Sequence, residues 1–91
     1  MQMLTAEAVR VAFLRTVASD HAERLIESIL IRQGSYCGRH LKLDGYGLIW
    51  FQEERQIKLY DADRRVVFSG GDQQFVDQYG GNEQREQRRA A

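Results

Sequence analysis

The sequence predicts an α+β domain in two layers: an N-terminal helix or helix pair within residues 5–33, packed on a four-stranded antiparallel meander. Three observations predict it. Residues 4–33 contain neither glycine nor proline and are rich in Ala, Leu, Glu and Arg, the residues that lose least on entering a helix. After Gly34 the apolar spacing changes to period two, the repeat of a half-buried strand. Between two such runs stands Asp44-Gly45, a pair that tolerates the two successive positive φ angles of a tight hairpin turn.

Thr5 is placed to cap the first helix, and Gly34 to stop the last. Val9, Phe13, Leu14 and Val17 form one apolar stripe; Ala22, Leu25, Ile26, Ile29 and Leu30 form another. At about 100° per residue the two stripes share only their edges. Asp20 followed by Glu23 also fits an N-cap with its N3 partner. The expectation is therefore two helices, 5–18 and 20–33, broken at Ser19-Asp20. One continuous helix is the alternative. It would be long for so small a domain and would need a partner along its surface.

The strands expected next are 37–43, 46–53, 56–61 and 65–68, divided by Asp44-Gly45, by "EERQ" (53–56) and by "DADR" (61–64). A turn at 44–45 pairs Leu43 with Tyr46 and Leu41 with Leu48. A turn centred on Glu54-Arg55 pairs Trp50 with Leu59 and Gln52 with Ile57. A turn centred on Asp63-Arg64 pairs Leu59 with Phe68. These three independent turns place Leu41, Leu43, Tyr46, Leu48, Trp50, Ile57, Leu59, Val66 and Phe68 on one face, which the helices would cover. A short helix at 72–79, anchored by Phe75 and Val76, completes a single domain over 1–80. Residues 81–91 read as a mobile polar tail.

Thirteen basic residues balance thirteen acidic ones. The balance is also local, four of each over residues 1–33 and six against five over 34–69. No global field draws the chain to nucleic acid or to an anionic membrane. A lone cysteine cannot form an intramolecular disulfide, and no apolar leader or membrane-spanning run is present. Both features point to a cytoplasmic, soluble chain.

The residues that suggest chemistry resolve into structure. Cys37 and His40 lie three apart on an expected strand and so point to opposite faces. A zinc site needs about four ligands, yet there is no second cysteine and His21 is the only other histidine. Asp61-x-Asp63 opens like a calcium loop but continues into Arg64-Arg65, so turn chemistry is preferred. Glu53-Glu54 sits at a hairpin tip with no walls to shift either carboxyl group. No glycine pattern matches a nucleotide loop, and no hydrolase or zinc-protease motif occurs. No catalytic residue, cofactor or metal is expected, and the chain reads as a non-enzyme.

The same register sends Tyr36, His40, Lys42, Ile49, Phe51, Lys58, Tyr60 and Val67 to the side away from the helices. A solvated face of an antiparallel sheet should be mostly polar; this one mixes aromatics and aliphatics with cations. The expectation is a protein-interaction face, for a second copy or another protein, with homodimerisation the simplest use. Three alternatives stand beside it. Residues 72–79 could fold back across the face. The chain could serve as an accessory or regulatory subunit of a larger complex. The face could bind single-stranded nucleic acid, with Tyr36, Phe51 and Tyr60 stacking on bases and Lys42, Lys58 and Arg39 nearby. The balanced charge and the missing RNP-type pattern disfavour this last use.

Overall fold

The computed structural model describes residues 4–18 and 20–80; the tail expected at 81–91 lies outside them. Helix α1 spans Ala6–Val17. A single 3₁₀ turn, Ala22–Arg24, follows. Five strands come next, β1 (Ile26–Arg32), β2 (Ser35–Leu43), β3 (Tyr46–Phe51), β4 (Gln56–Tyr60) and β5 (Val66–Gly71), and helix α2 (Asp72–Tyr79) comes last. The strands form one antiparallel sheet in chain order.

Helix α1 begins as its sequence dictates. The Thr5 hydroxyl accepts a hydrogen bond from the Ala8 amide at 3.1 Å, satisfying a donor that the first turn would leave free. It ends at Ala18, which takes a left-handed conformation at φ 54° and returns its N–H to Leu14. The helix therefore ends just before the break expected at Ser19-Asp20, and Ser19 itself lies outside the described residues.

The second expected helix does not form. Residues 26–32 are a fifth strand, and the segment before it makes one 3₁₀ turn whose N-cap is His21, not Asp20, and which has no side-chain cap. Two local features favour the strand. Ile26, Ile29 and Ile31 are β-branched and fit a pleated surface better than a helix. Gln33 and Gly34, both at positive φ (54° and 78°), make a two-residue hairpin turn rather than a helix stop. The hairpin gives the backbone of β1 a ladder along the otherwise open edge of β2. The helix-surface partner, which depended on a continuous helix, loses its basis.

The turn at Asp44-Gly45 stands as expected, with φ 51° and 87°, and pairs Leu43 with Tyr46 and Leu41 with Leu48. The next turn is displaced. Gln52–Arg55 form it, with Arg55 at φ 56° and its amide bonded to the Gln52 carbonyl at 3.2 Å. Trp50 therefore pairs with Ile57, and Leu48 with Leu59, two residues away from the expected register. A slip of two preserves the alternation, so every residue keeps its face. At the third turn Leu59 meets Phe68 as expected. Asp61 holds that turn by accepting hydrogen bonds from the Asp63 and Arg65 amides, both at 2.9 Å, which accounts for Asp61-x-Asp63 without a cation. A bulge between Leu59 and Tyr60 then sets Val66 opposite Tyr60, and Val66 is exposed instead of joining the core.

The core is one cluster. Val9, Ala12 and Phe13 of α1 and Phe75 of α2 close over Leu41, Leu43, Leu48, Trp50, Ile57, Leu59 and Phe68 of the sheet. Phe68, Phe75 and Tyr79 pack as a trio of rings, Phe75 tilted against both others and Phe68 edge-on to Tyr79. The Trp50 indole N–H donates to the Asp72 carboxylate at 3.0 Å, both side chains being buried.

Candidate interaction surface

Helix α2 occupies the range expected for it and settles which face it covers. Phe75 packs on Phe68, and Asp72 bonds to Trp50, so α2 lies beside α1 on the Leu48–Trp50 side of the sheet. Among the described residues, nothing covers the opposite face.

That face can be read rung by rung from the pairing, because directly opposed residues share a side. Ile26, Lys42, Gly47, Tyr60 and Val66 form one row; Ser28, His40, Ile49, Lys58 and Ser69 the next; Leu30, Gly38, Phe51, Gln56 and Gly71 the third. His40, Lys42, Ile49, Phe51, Lys58 and Tyr60 thus stand where the alternation placed them. Val67 is the bulge residue of β5 and is exposed. The extra strand adds Ile26 and Leu30, which their apolar spacing alone assigns to a helix.

Tyr36 is the correction. On β1 the alternation runs unbroken, so Ile31 faces the helices if Leu30 does not. The pairing skips Cys37, placing Gly38 against Leu30 and Tyr36 against Ile31. The bulge therefore turns Tyr36 to the helix side, where its hydroxyl meets Gln52 and interacts with the Arg39 guanidinium. Arg39 faces the same way, paired with Trp50. The nucleic-acid alternative loses Tyr36 as a platform and Arg39 as a cation. A signal for the bulge was present in Gly38: a Cβ there would lie 1.9 Å from the Trp50 carbonyl oxygen, and a glycine inside a strand marks such an approach.

The bulge also interrupts the alternation that separated Cys37 from His40. Cys37 lines a shallow hollow of about 170 Å³ with Arg32, Phe51 and Glu53, small beside ordinary ligand pockets. His40 stands over Gly47, whose Cβ position would lie 3.6 Å from its Nε2. Partial burial, and then the charge of Lys42, hold its pKa below the ordinary histidine value. Among the described residues no three potential metal ligands gather. The Arg32 guanidinium lies 5.6 Å from the Phe51 ring centre, a cation–π contact on this face.

A polar cluster on the helix side was not legible in the sequence, because Glu27 stood in an expected helix. Its carboxylate accepts from Arg10 of α1 at 3.0 Å and from Arg39 of β2. The Arg10 hydrogen bond is the largest influence on Glu27; it outweighs partial burial and, with Arg39, holds the carboxyl below its ordinary range. Glu27 thereby ties the edge strand to the helix. Beyond it on the same side, Ile29 and Ile31 are 56% and 57% exposed.

No family model, no curated protein and no solved structure matches the chain. Among the described residues, no helix is long and apolar enough to cross a membrane.

Proposed function

We propose that the chain is a non-enzymatic protein-interaction module that works as a homodimer. One observation carries the reading: both helices pack on the same side of the sheet. The opposite face, with Ile49, Phe51, Tyr60 and Val67 beside His40, Lys42 and Lys58, and the adjoining edge strand are left to a partner. Isolated exposed apolar residues are ordinary on a small protein. Here exposed Ile26, Val66 and Val67 share one face with half-buried Leu30, Ile49, Phe51 and Tyr60, interspersed with His40, Lys42 and Lys58, and apolar side chains gathered on one uncovered face mark an interaction surface. The hollow lined by Cys37, Glu53 and Glu54 holds only about 170 Å³, small beside ordinary ligand pockets, and this favours association over catalysis.

Sedimentation equilibrium over a range of concentrations tests the reading. The expected result is the mass of two chains, and a single-chain mass throughout would end it. A low-salt titration with single-stranded DNA and RNA tests the nucleic-acid alternative, and the expected result is no salt-sensitive binding.

A further inference from the structure

We propose that two copies join through β1, antiparallel, about a two-fold axis at Leu30, so that two five-stranded sheets become one continuous sheet. The inference rests on the self-association reading and names its contact.

The amides available for such pairing follow from the two tight turns. A two-residue turn makes its flanking residues a hydrogen-bonded pair. Arg32 and Ser35 flank the first such turn, and Leu43 and Tyr46 the second. Counting back from either turn gives the same answer. Ile26, Ser28 and Leu30 direct their backbone groups to β2, while Glu27, Ile29 and Ile31 direct theirs outward. Those outward groups have no backbone partner among the described residues.

Natural edges are blunted by proline, lysine, bulges or covering elements. Strand β1 has no proline and no lysine, and the extra residue of the nearby bulge belongs to β2. Its one inward charge, Glu27, is neutralised by Arg10 and Arg39. The other edge is different: β5 carries a bulge at Val67 and runs through Gly70-Gly71 directly into α2. The open edge of this sheet is β1.

Chemistry selects a second copy as the occupant. An antiparallel copy must set residues of one face opposite each other, so the axis falls on a residue. An axis at Ser28 sets Glu27 against Ile29 of the second copy. An axis at Ile29 sets Glu27 against Ile31 and Ile26 against Arg32. The axis at Leu30 matches the central pairs by type and leaves only Ile26 opposite Gly34 of the turn. Ile29 then meets Ile31 twice, Leu30 meets Leu30, Ser28 meets Arg32, and Glu27 meets Gln33. The two most exposed isoleucines of the helix side, at 56% and 57%, become cross-strand neighbours of the same pair in the other copy. Like charges are not opposed anywhere along the seam.

Disulfide trapping tests the register. Leu30 and its counterpart form a non-hydrogen-bonded pair, with Cα atoms about 4.5 Å apart, inside the range a disulfide spans. With Cys37→Ser as background, Leu30→Cys should cross-link nearly completely under mild oxidation. Lys58→Cys, at the centre of the bare face, should remain monomeric on a non-reducing gel. Ile29→Lys/Ile31→Lys, at exposed positions, should sediment as single chains with an unchanged far-UV spectrum. A dimer that survives those lysines but is split by Phe51→Glu/Tyr60→Glu, or that cross-links through Lys58→Cys, would overturn the edge contact and leave self-association standing. A monomeric wild type would end both.

Discussion

Asp72→Ala should be among the costlier single substitutions in this chain. Asp72 is the first residue of α2, where the preceding Gly71 offers no side-chain cap and a carboxylate is favoured by the helix dipole at about 0.3–1 kcal/mol. Its Oδ2 accepts the Trp50 indole N–H at 3.0 Å, with Trp50 1% and Asp72 6% exposed. A hydrogen bond to a charged group contributes about 1.5–3 kcal/mol, and a donor stranded in the interior costs a comparable amount. These overlap and do not simply add, so the expected loss is about 2–4 kcal/mol. A domain of this length holds roughly 5–14 kcal/mol in all. Asp72→Asn keeps an acceptor for the indole and loses only the charge, at about 1 kcal/mol. Urea denaturation followed by far-UV circular dichroism measures both variants without relying on Trp50 emission, which the substitution itself would alter. If the alanine variant unfolds within about 0.5 kcal/mol of wild type, or level with the asparagine variant, the indole–carboxylate bond is not what couples α2 to the sheet.

Further outcomes follow from the same geometry. Gly38→Ala should cost at least the roughly 1–3 kcal/mol of an overpacked site, because its Cβ would meet the Trp50 carbonyl oxygen at 1.9 Å and must push β2 from β3; a melt unchanged from wild type would refute the close approach. Glu27 has a folded pKa below its ordinary 4.5, so its contribution is complete above that value and is lost as pH falls through the folded pKa; Glu27→Gln should flatten this acid slope in chemical melts. His40 also has a lowered folded pKa, so the unfolded chain binds its proton more readily. Stability should therefore fall as pH drops below the ordinary 6.5 and level off under the folded pKa. His40→Gln should remove that step, and a step that persists would place the responsible group elsewhere.

Much of the sheet was legible because its turns carry local chemistry. Asp44-Gly45 can adopt two positive φ angles cheaply, and that single fact sets which side Leu41, Leu48 and Trp50 take. The four-residue turn at Gln52–Arg55 had no such signature, and its register was misplaced by two. The faces were unaffected because the period of a strand is also two. Tyr36 was lost for the opposite reason: a one-residue bulge at Cys37 reverses everything beyond it. Of the bare face, the residues on regular rungs were recoverable and those beside bulges were not.

By itself, then, the sequence determined the N-terminal helix through Thr5 and its apolar stripe, the meander expected over 37–68, and the extent of α2. It could not determine residues 26–32, whose apolar spacing suits either a helix face or a strand. Only the tertiary structure decided between them, because the decisive partner was the open edge of β2, which offers Ile26–Arg32 a ladder of hydrogen bonds. It alone also decided that α2 returns to the side of α1, since that depends on Asp72 reaching Trp50 and Phe75 reaching Phe68 across the sheet. Local propensity reports what a segment can do, and the choice among those options is made by contacts remote in sequence.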